Sequence, residues 1–181
     1  MLKKVVAIGP ESTGKTSLCK QLGAYYKTAW CPEYAREYLL TRGTKYTYDN
    51  LLEIAKGQIG LEERIELENL KITKPLTVPY FIDTDMYVMK VWCEFVFNNC
   101  HRYILDQITE RKYDLYLLCN IDMPWVRDEL REYPDLKTRQ QLYYIYKDLL
   151  VNQSTPWVDI SGPPEKRFQT CVSAVNQLLI Q

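Results

Sequence analysis

Short apolar runs alternate along this chain with longer stretches in which apolar residues recur at helical spacing. Strand-like runs lie at Lys4–Ile8, more weakly at Thr28–Cys31, and at Pro79–Asp83, Asp114–Cys119 and Trp157–Ile160. Helical patterns fill the intervals: Lys15–Tyr26, Glu33–Arg42, Asp49–Lys71, Met86–Arg111, Leu136–Val151 and Pro164–Leu179. Strands alternating with helices predict an α/β fold of three layers. Its sheet is mainly parallel and five-stranded, covered by helices on both faces. The breakers agree: Pro32 follows the second run, Pro75 and Pro79 bracket the approach to the third, and Gly162-Pro163-Pro164 separates the last strand from the last helix. With no linker, repeat or low-complexity tract, residues 1–181 read as a single domain. Sheets of this kind bind ligands at the C-terminal ends of their strands, so the residues just after each strand are where chemistry should collect.

Composition narrows the classes of partner. The 23 basic and 23 acidic residues cancel, which leaves no whole-chain footprint for nucleic acid or an anionic membrane surface. The apolar runs are too short to span a bilayer. The first strand begins almost at the N-terminus, with no secretory signal pattern before it. Six scattered cysteines without C-x-x-C spacing read as buried free thiols of a reducing compartment. The expectation is a cytoplasmic protein acting on small molecules, with its oligomeric state open.

The strand end after Lys4–Ile8 carries the most specific chemistry. Gly9–Thr16 reads GPESTGKT, a full match to G-x-x-x-x-G-K-[ST] in the strand–loop–helix context that this motif requires. A chance match in a chain this long falls below roughly one in a hundred from average residue usage. Backbone N–H groups of such a loop form a nest for phosphate, reinforced by the positive end of the following helix. The expected nucleotide-binding set is Gly9, Glu11, Ser12, Thr13, Gly14, Lys15, Thr16 and Ser17, with Lys15 reaching the β- and γ-phosphates and the Thr16 hydroxyl available to Mg²⁺.

Each later strand end adds charged groups. After the second, Glu33 and Glu37 stand one helical turn apart with Arg36 beside them: a hold on sugar hydroxyls or a solvated helix face. The third ends in Asp83-Thr84-Asp85. An acidic group ending an apolar strand is costly without a cation, and the nucleotide's Mg²⁺ is the natural one for Asp83. Asp85 either caps the next helix or accepts a substrate proton. After the fourth come Arg127 and Arg131, one helical turn apart, either a charged surface helix or cations closing over the phosphates. Ser161–Phe168 follows the fifth, an adenine-packing loop or a helix start with proline in its first turn. The single His101 has no partner histidine, and the Tyr-rich stretch 142–146 reads as core.

Taken in order, GPESTGK at Gly9–Lys15, EYARE at Glu33–Glu37, IAKGQ from Ile54, IDTD at Ile82–Asp85 and PWVRDELR at Pro124–Arg131 resemble the ribosylnicotinamide (nicotinamide riboside) kinase domain of the bifunctional bacterial NAD-biosynthesis proteins, within the P-loop kinase superfamily. The resemblance spans nearly the whole chain. It implies a P-loop NTPase fold with a helical lid after the fourth strand, and ATP-dependent phosphorylation of the 5′-hydroxyl of nicotinamide riboside with Mg²⁺. It implies catalytic roles for Lys15, Asp83, Asp85, Arg127 and Arg131, and metal ligation by Thr16 and Asp83. It points to Glu33, Tyr34, Arg36, Gln58, Asp83, Asp85 and Trp92 for the riboside, the aromatic faces suiting a flat cationic ring. The alternatives are another nucleoside or metabolite as acceptor, or a regulatory ATP-binding module without one. The family's lid reads W-V-D-D-G-x-R; here Arg127 stands at the first acidic position and Glu129 at the glycine, while Arg131 keeps its place. The adenylyltransferase motif H-x-G-H needs two histidines and the chain has one, so a second step toward NAD must come from elsewhere.

Overall fold

The computed structural model describes residues 2–72 and 77–180; Pro75 lies outside them. Five strands, β1 (Leu2–Ile8), β2 (Trp30–Cys31), β3 (Val78–Asp83), β4 (Leu115–Cys119) and β5 (Trp157–Ile160), form one sheet in the order β2-β3-β1-β4-β5. Every pairing is parallel, with Ala7 opposite Asp83 and Ile8 opposite Leu118. Val5–Ile8 of central β1 and all of β4 are continuous apolar runs because both of their faces are covered. Among the described residues seven helices accompany them: α1 (Lys15–Tyr26), α2 (Tyr34–Arg42), α3 (Tyr48–Ile72), α4 (Met86–Phe97), α5 (Arg102–Glu110), α6 (Leu136–Val151) and α7 (Pro164–Ile180).

The alternation of β1 sorts the core into two layers. Val5 and Ala7 pack with Phe81, Leu117 and the inner faces of α1 and α7, where Leu18, Leu22, Cys171 and Val175 are buried. Val6 and Ile8 pack on the opposite face with Tyr80, Ile82, Val91 of α4 and Leu142, Tyr146 and Leu150 of α6. The Tyr-rich stretch is core on this side: Tyr143 and Tyr146 are buried, while Tyr144 faces solvent. A third cluster, from Ala35 and Leu39 to Ile54, Met89 and Ile104, joins α2 through α5 beyond the sheet edge. All six cysteines are free thiols. No helix among the described residues is long and apolar enough to cross a membrane.

Two expectations change. The pattern read as one helix from Met86 to Arg111 is two, because Asn98 takes a left-handed conformation (φ 51°) that ends α4. The segment expected to be a helical lid, between β4 and α6, is irregular apart from a turn at Glu129-Leu130. Pro124 and Pro134 flank it, and the Asp128 carboxylate captures the Leu130 N–H at 3.1 Å, a local bond that competes with helix.

Candidate functional site

Gly9 leaves β1 at φ 134° and lies against β4: a Cβ there would come within 2.6 Å of the Cys119 carbonyl oxygen. Only glycine admits this approach, which starts the loop at the C-terminal edge of the sheet. Gly14, also left-handed (φ 80°), is the N-cap residue of α1. The Thr13 hydroxyl donates to the Pro10 carbonyl at 2.7 Å. Lys15 Nζ donates to the Gly9 and Pro10 carbonyls at 2.9 and 2.8 Å, so the ammonium sits over the loop. Thr16 Oγ1 donates to Asp83 Oδ2 at 2.6 Å, joining the start of α1 to the end of β3.

Asp83 is fully buried, and its second oxygen, Oδ1, accepts no hydrogen bond. Burial foremost, then the nearby Glu33 charge, pushes its carboxyl up to about 7 against the opposing pull of Lys15 and the Thr16 hydroxyl. A hard divalent cation takes oxygen ligands, and a buried carboxylate oxygen without a donor beside a threonine hydroxyl and a phosphate nest fits one.

Thr84 separates the two aspartates structurally. In an unbroken strand, residues two apart share a face. Thr84 is left-handed (φ 72°), with its N–H bound to the Ala7 carbonyl, and the chain turns there. Asp83 keeps the α1 side. Asp85 goes to the other, where Oδ1 accepts the Tyr87 and Val88 N–H groups at the start of α4 and Oδ2 accepts the Tyr116 hydroxyl at 2.8 Å. Asp85 is therefore a buried helix cap. Desolvation outweighs these bonds and raises its carboxyl to about 7.

A cavity of about 220 Å³ opens beside the loop, lined by residues 9–17 together with Glu33, Arg36, Trp92, Phe95, Arg131, Tyr133 and Tyr146 among others. Glu33 is the N-cap residue of α2 rather than part of the helix, so it does not share a helical face with Glu37; its side chain makes no cap bond and lines the cavity. Gln58 supplies that cap from α3: Oε1 accepts the Tyr34 N–H at 2.7 Å, while Nε2 reaches the Thr84 carbonyl at 3.4 Å. Gln58 is thus a buried brace between α2 and the Thr84 turn. Tyr34 packs on Gly57, where an added Cβ would meet its ring at 2.0 Å, and does not line the cavity. Trp92 does, and its Nε1–H donates to the Tyr46 hydroxyl at 2.8 Å. Arg36 pairs with Asp128 through both of its terminal nitrogens (3.3 and 2.9 Å), linking α2 to the irregular segment.

That segment covers the phosphate loop. Arg131 Nη1 donates to Ser12 Oγ at 3.2 Å and to the Val126 carbonyl, whereas Arg127 is exposed and does not line the cavity. Arg167 has no signal in the sequence beyond its position after Pro163-Pro164. In the structure it is buried and donates to the carbonyls of Thr13, Asn120 and Gly162 and to Asp122, so one guanidinium ties the phosphate loop to the ends of β4 and β5.

Comparison with known proteins fits this geometry. The family described as an AAA domain matches residues 4–167. The trifunctional NAD biosynthesis/regulator protein NadR of Escherichia coli (strain K12) is 25% identical over 184 residues, covering 98% of this chain, and that of Salmonella typhimurium is 24% identical over 180 residues. This chain spans 43% of the length of each. Among solved structures, NadR protein in complex with NR superposes with a TM-score of 0.71 at 20% identity, over 99% of this chain and 50% of that one. Thymidylate kinase from Ehrlichia chaffeensis superposes at 0.67 with 10% identity, over 96% and 98% of the two chains. The architecture is that of the P-loop kinases.

Proposed function

The chain belongs to the AAA-domain family, and from that premise we propose that it is a kinase that transfers the γ-phosphoryl group of ATP to the 5′-hydroxyl of nicotinamide riboside, giving nicotinamide mononucleotide. One observation carries the reading: the phosphate loop and an aromatic-walled cavity with its own carboxylate and guanidinium groups are one continuous space. A regulatory module that only binds nucleotide has no need of the second half. The NadR relatives, one solved with NR, favour a riboside as the acceptor.

The loop amides and Lys15 hold the β- and γ-phosphates, Lys15 exchanging its two loop carbonyls for phosphoryl oxygens. Thr16 and Asp83 would hold Mg²⁺, which neutralises charge on the phosphoryl oxygens when bound. Of Glu33, Asp83 and Asp85, Glu33 alone lines the cavity, so we assign it the hydroxyl proton. Arg36 orients the sugar from the same side, and Trp92 offers its face to the nicotinamide ring. Arg131, beside Ser12, stabilises charge on the transferring group. The covering segment excludes water, the competing acceptor.

The test is ADP release by the purified protein with Mg-ATP and a panel of ribosides. Nicotinamide riboside should give the highest kcat/KM. Higher kcat/KM with another nucleoside would reassign the substrate, and no stimulation by any would remove the kinase reading. Glu33→Gln should lower kcat by about 10²–10⁴ while leaving the KM for ATP little changed.

A further inference from the structure

A phosphate nest is built from backbone amides, so its variable positions need no particular side chain, and a carboxylate there repels the ligand. Glu11 occupies such a position. Both of its oxygens are turned to the covering segment: Oε1 accepts the Tyr133 N–H at 2.6 Å and Trp125 Nε1–H at 3.2 Å, and Oε2 accepts the Glu132 N–H at 2.9 Å. Next to it, Ser12 Oγ accepts the Val126 N–H at 2.9 Å and Arg131 Nη1 at 3.2 Å. Two adjacent loop side chains thus satisfy five donors within residues 125–133. Charge-assisted bonds from a carboxylate are the stronger of these. The segment is irregular, so its N–H groups have no helical partners to return to; the loop side chains hold its backbone, while the Arg36–Asp128 pair and the Tyr46 hydroxyl on Glu132 hold its side chains. Seated in this way it walls the cavity of about 220 Å³ beside the loop, which Leu130, Arg131, Glu132 and Tyr133 line.

We propose that Glu11 is a positioning residue, a latch by which the phosphate loop seats the covering segment and with it Arg131 over the transferring phosphoryl group. The latch bears on turnover only if the proposed kinase activity is correct. Its structural half stands independently.

Two measurements on the full chain separate these. Hydrogen exchange read at the Glu132 and Tyr133 amides should speed up by roughly tenfold or more in Glu11→Ala, with β1 and β4 amides unchanged. Unaltered protection there would overturn the latch whatever the enzyme does. In the kinase assay, Glu11→Ala should lower kcat for riboside phosphorylation by about tenfold or more and raise the share of ATP lost to water, with the KM for ATP little affected. In an Arg131→Ala background the same substitution should cost much less, because Glu11 acts on turnover through the placement of Arg131. Losses that simply multiply would overturn the positioning role. Should Glu11→Ala not fold, Glu11→Gln, which gives up the charge and one acceptor oxygen, reads the same cycle. Faster exchange at Glu132 and Tyr133 in Glu11→Ala, with no kinase activity of the unsubstituted protein toward any riboside, would overturn the positioning role together with the function it serves and leave the structural latch standing.

Discussion

Asp83 should cost stability in the chain without ligand, and removing its charge should expose that cost. The rise of its carboxyl from 3.8 to about 7 corresponds to roughly 4 kcal/mol against the ionised folded state. In Asp83→Asn, the side-chain oxygen keeps the Thr16 hydroxyl bond, while the amide nitrogen takes the position of Oδ1, which accepts no hydrogen bond. An unpaired buried donor costs about 1–3 kcal/mol. The net is a gain of about 1–3 kcal/mol, or roughly 2–12 °C in Tm for a chain of this size. The sign with pH follows from the raised folded pKa. The wild-type penalty is complete above pH 7 and fades as pH falls toward the unfolded value, so the variant's advantage should be largest near pH 8.5 and gone by about pH 5. Thermal unfolding followed by circular dichroism across that range, without nucleotide or metal, reads it directly. Mg-ATP should then raise the Tm of wild type more than that of the variant, whose turnover should be lost. An Asn variant less stable than wild type at pH 8.5, or a difference that does not move with pH, would refute the reasoning.

Other substitutions probe the surrounding geometry. Asp85→Asn preserves a good helix cap and a partner for Tyr116, so kcat should stay within about threefold of wild type, as turnover assays beside Asp83→Asn would reveal. Gly57→Ala drives a Cβ to 2.0 Å from the Tyr34 ring and should lower stability by about 1–3 kcal/mol in urea unfolding, despite the better helix propensity of alanine. Arg36→Ala breaks a half-exposed pair with Asp128 and should change stability by less than about 1 kcal/mol, while raising the KM for riboside in the kinase assay.

The alternation of apolar runs with helical periodicity, and the one motif whose backbone geometry depends on glycine at two positions, were enough to determine the parallel sheet, its helical layers and the phosphate loop at its edge. Those features are local: strand period, helix period and the φ freedom of Gly9 and Gly14 are written in neighbouring residues. The strand order and the assignment of Asp83 and Asp85 are not. Equal spacing made the two aspartates look alike. A single left-handed residue, Thr84, sends one to Thr16 and the other under α4. Gln58 and Tyr34, read as ligand contacts, brace the start of α2 instead, because α3 packs there and satisfies its free N–H. The covering segment carries charges at helical spacing but is not a helix, since its donors find Glu11 and Ser12, more than a hundred residues away in the chain. Contacts of that range depend on how the layers close on one another, and only the folded chain decides which side chain meets which.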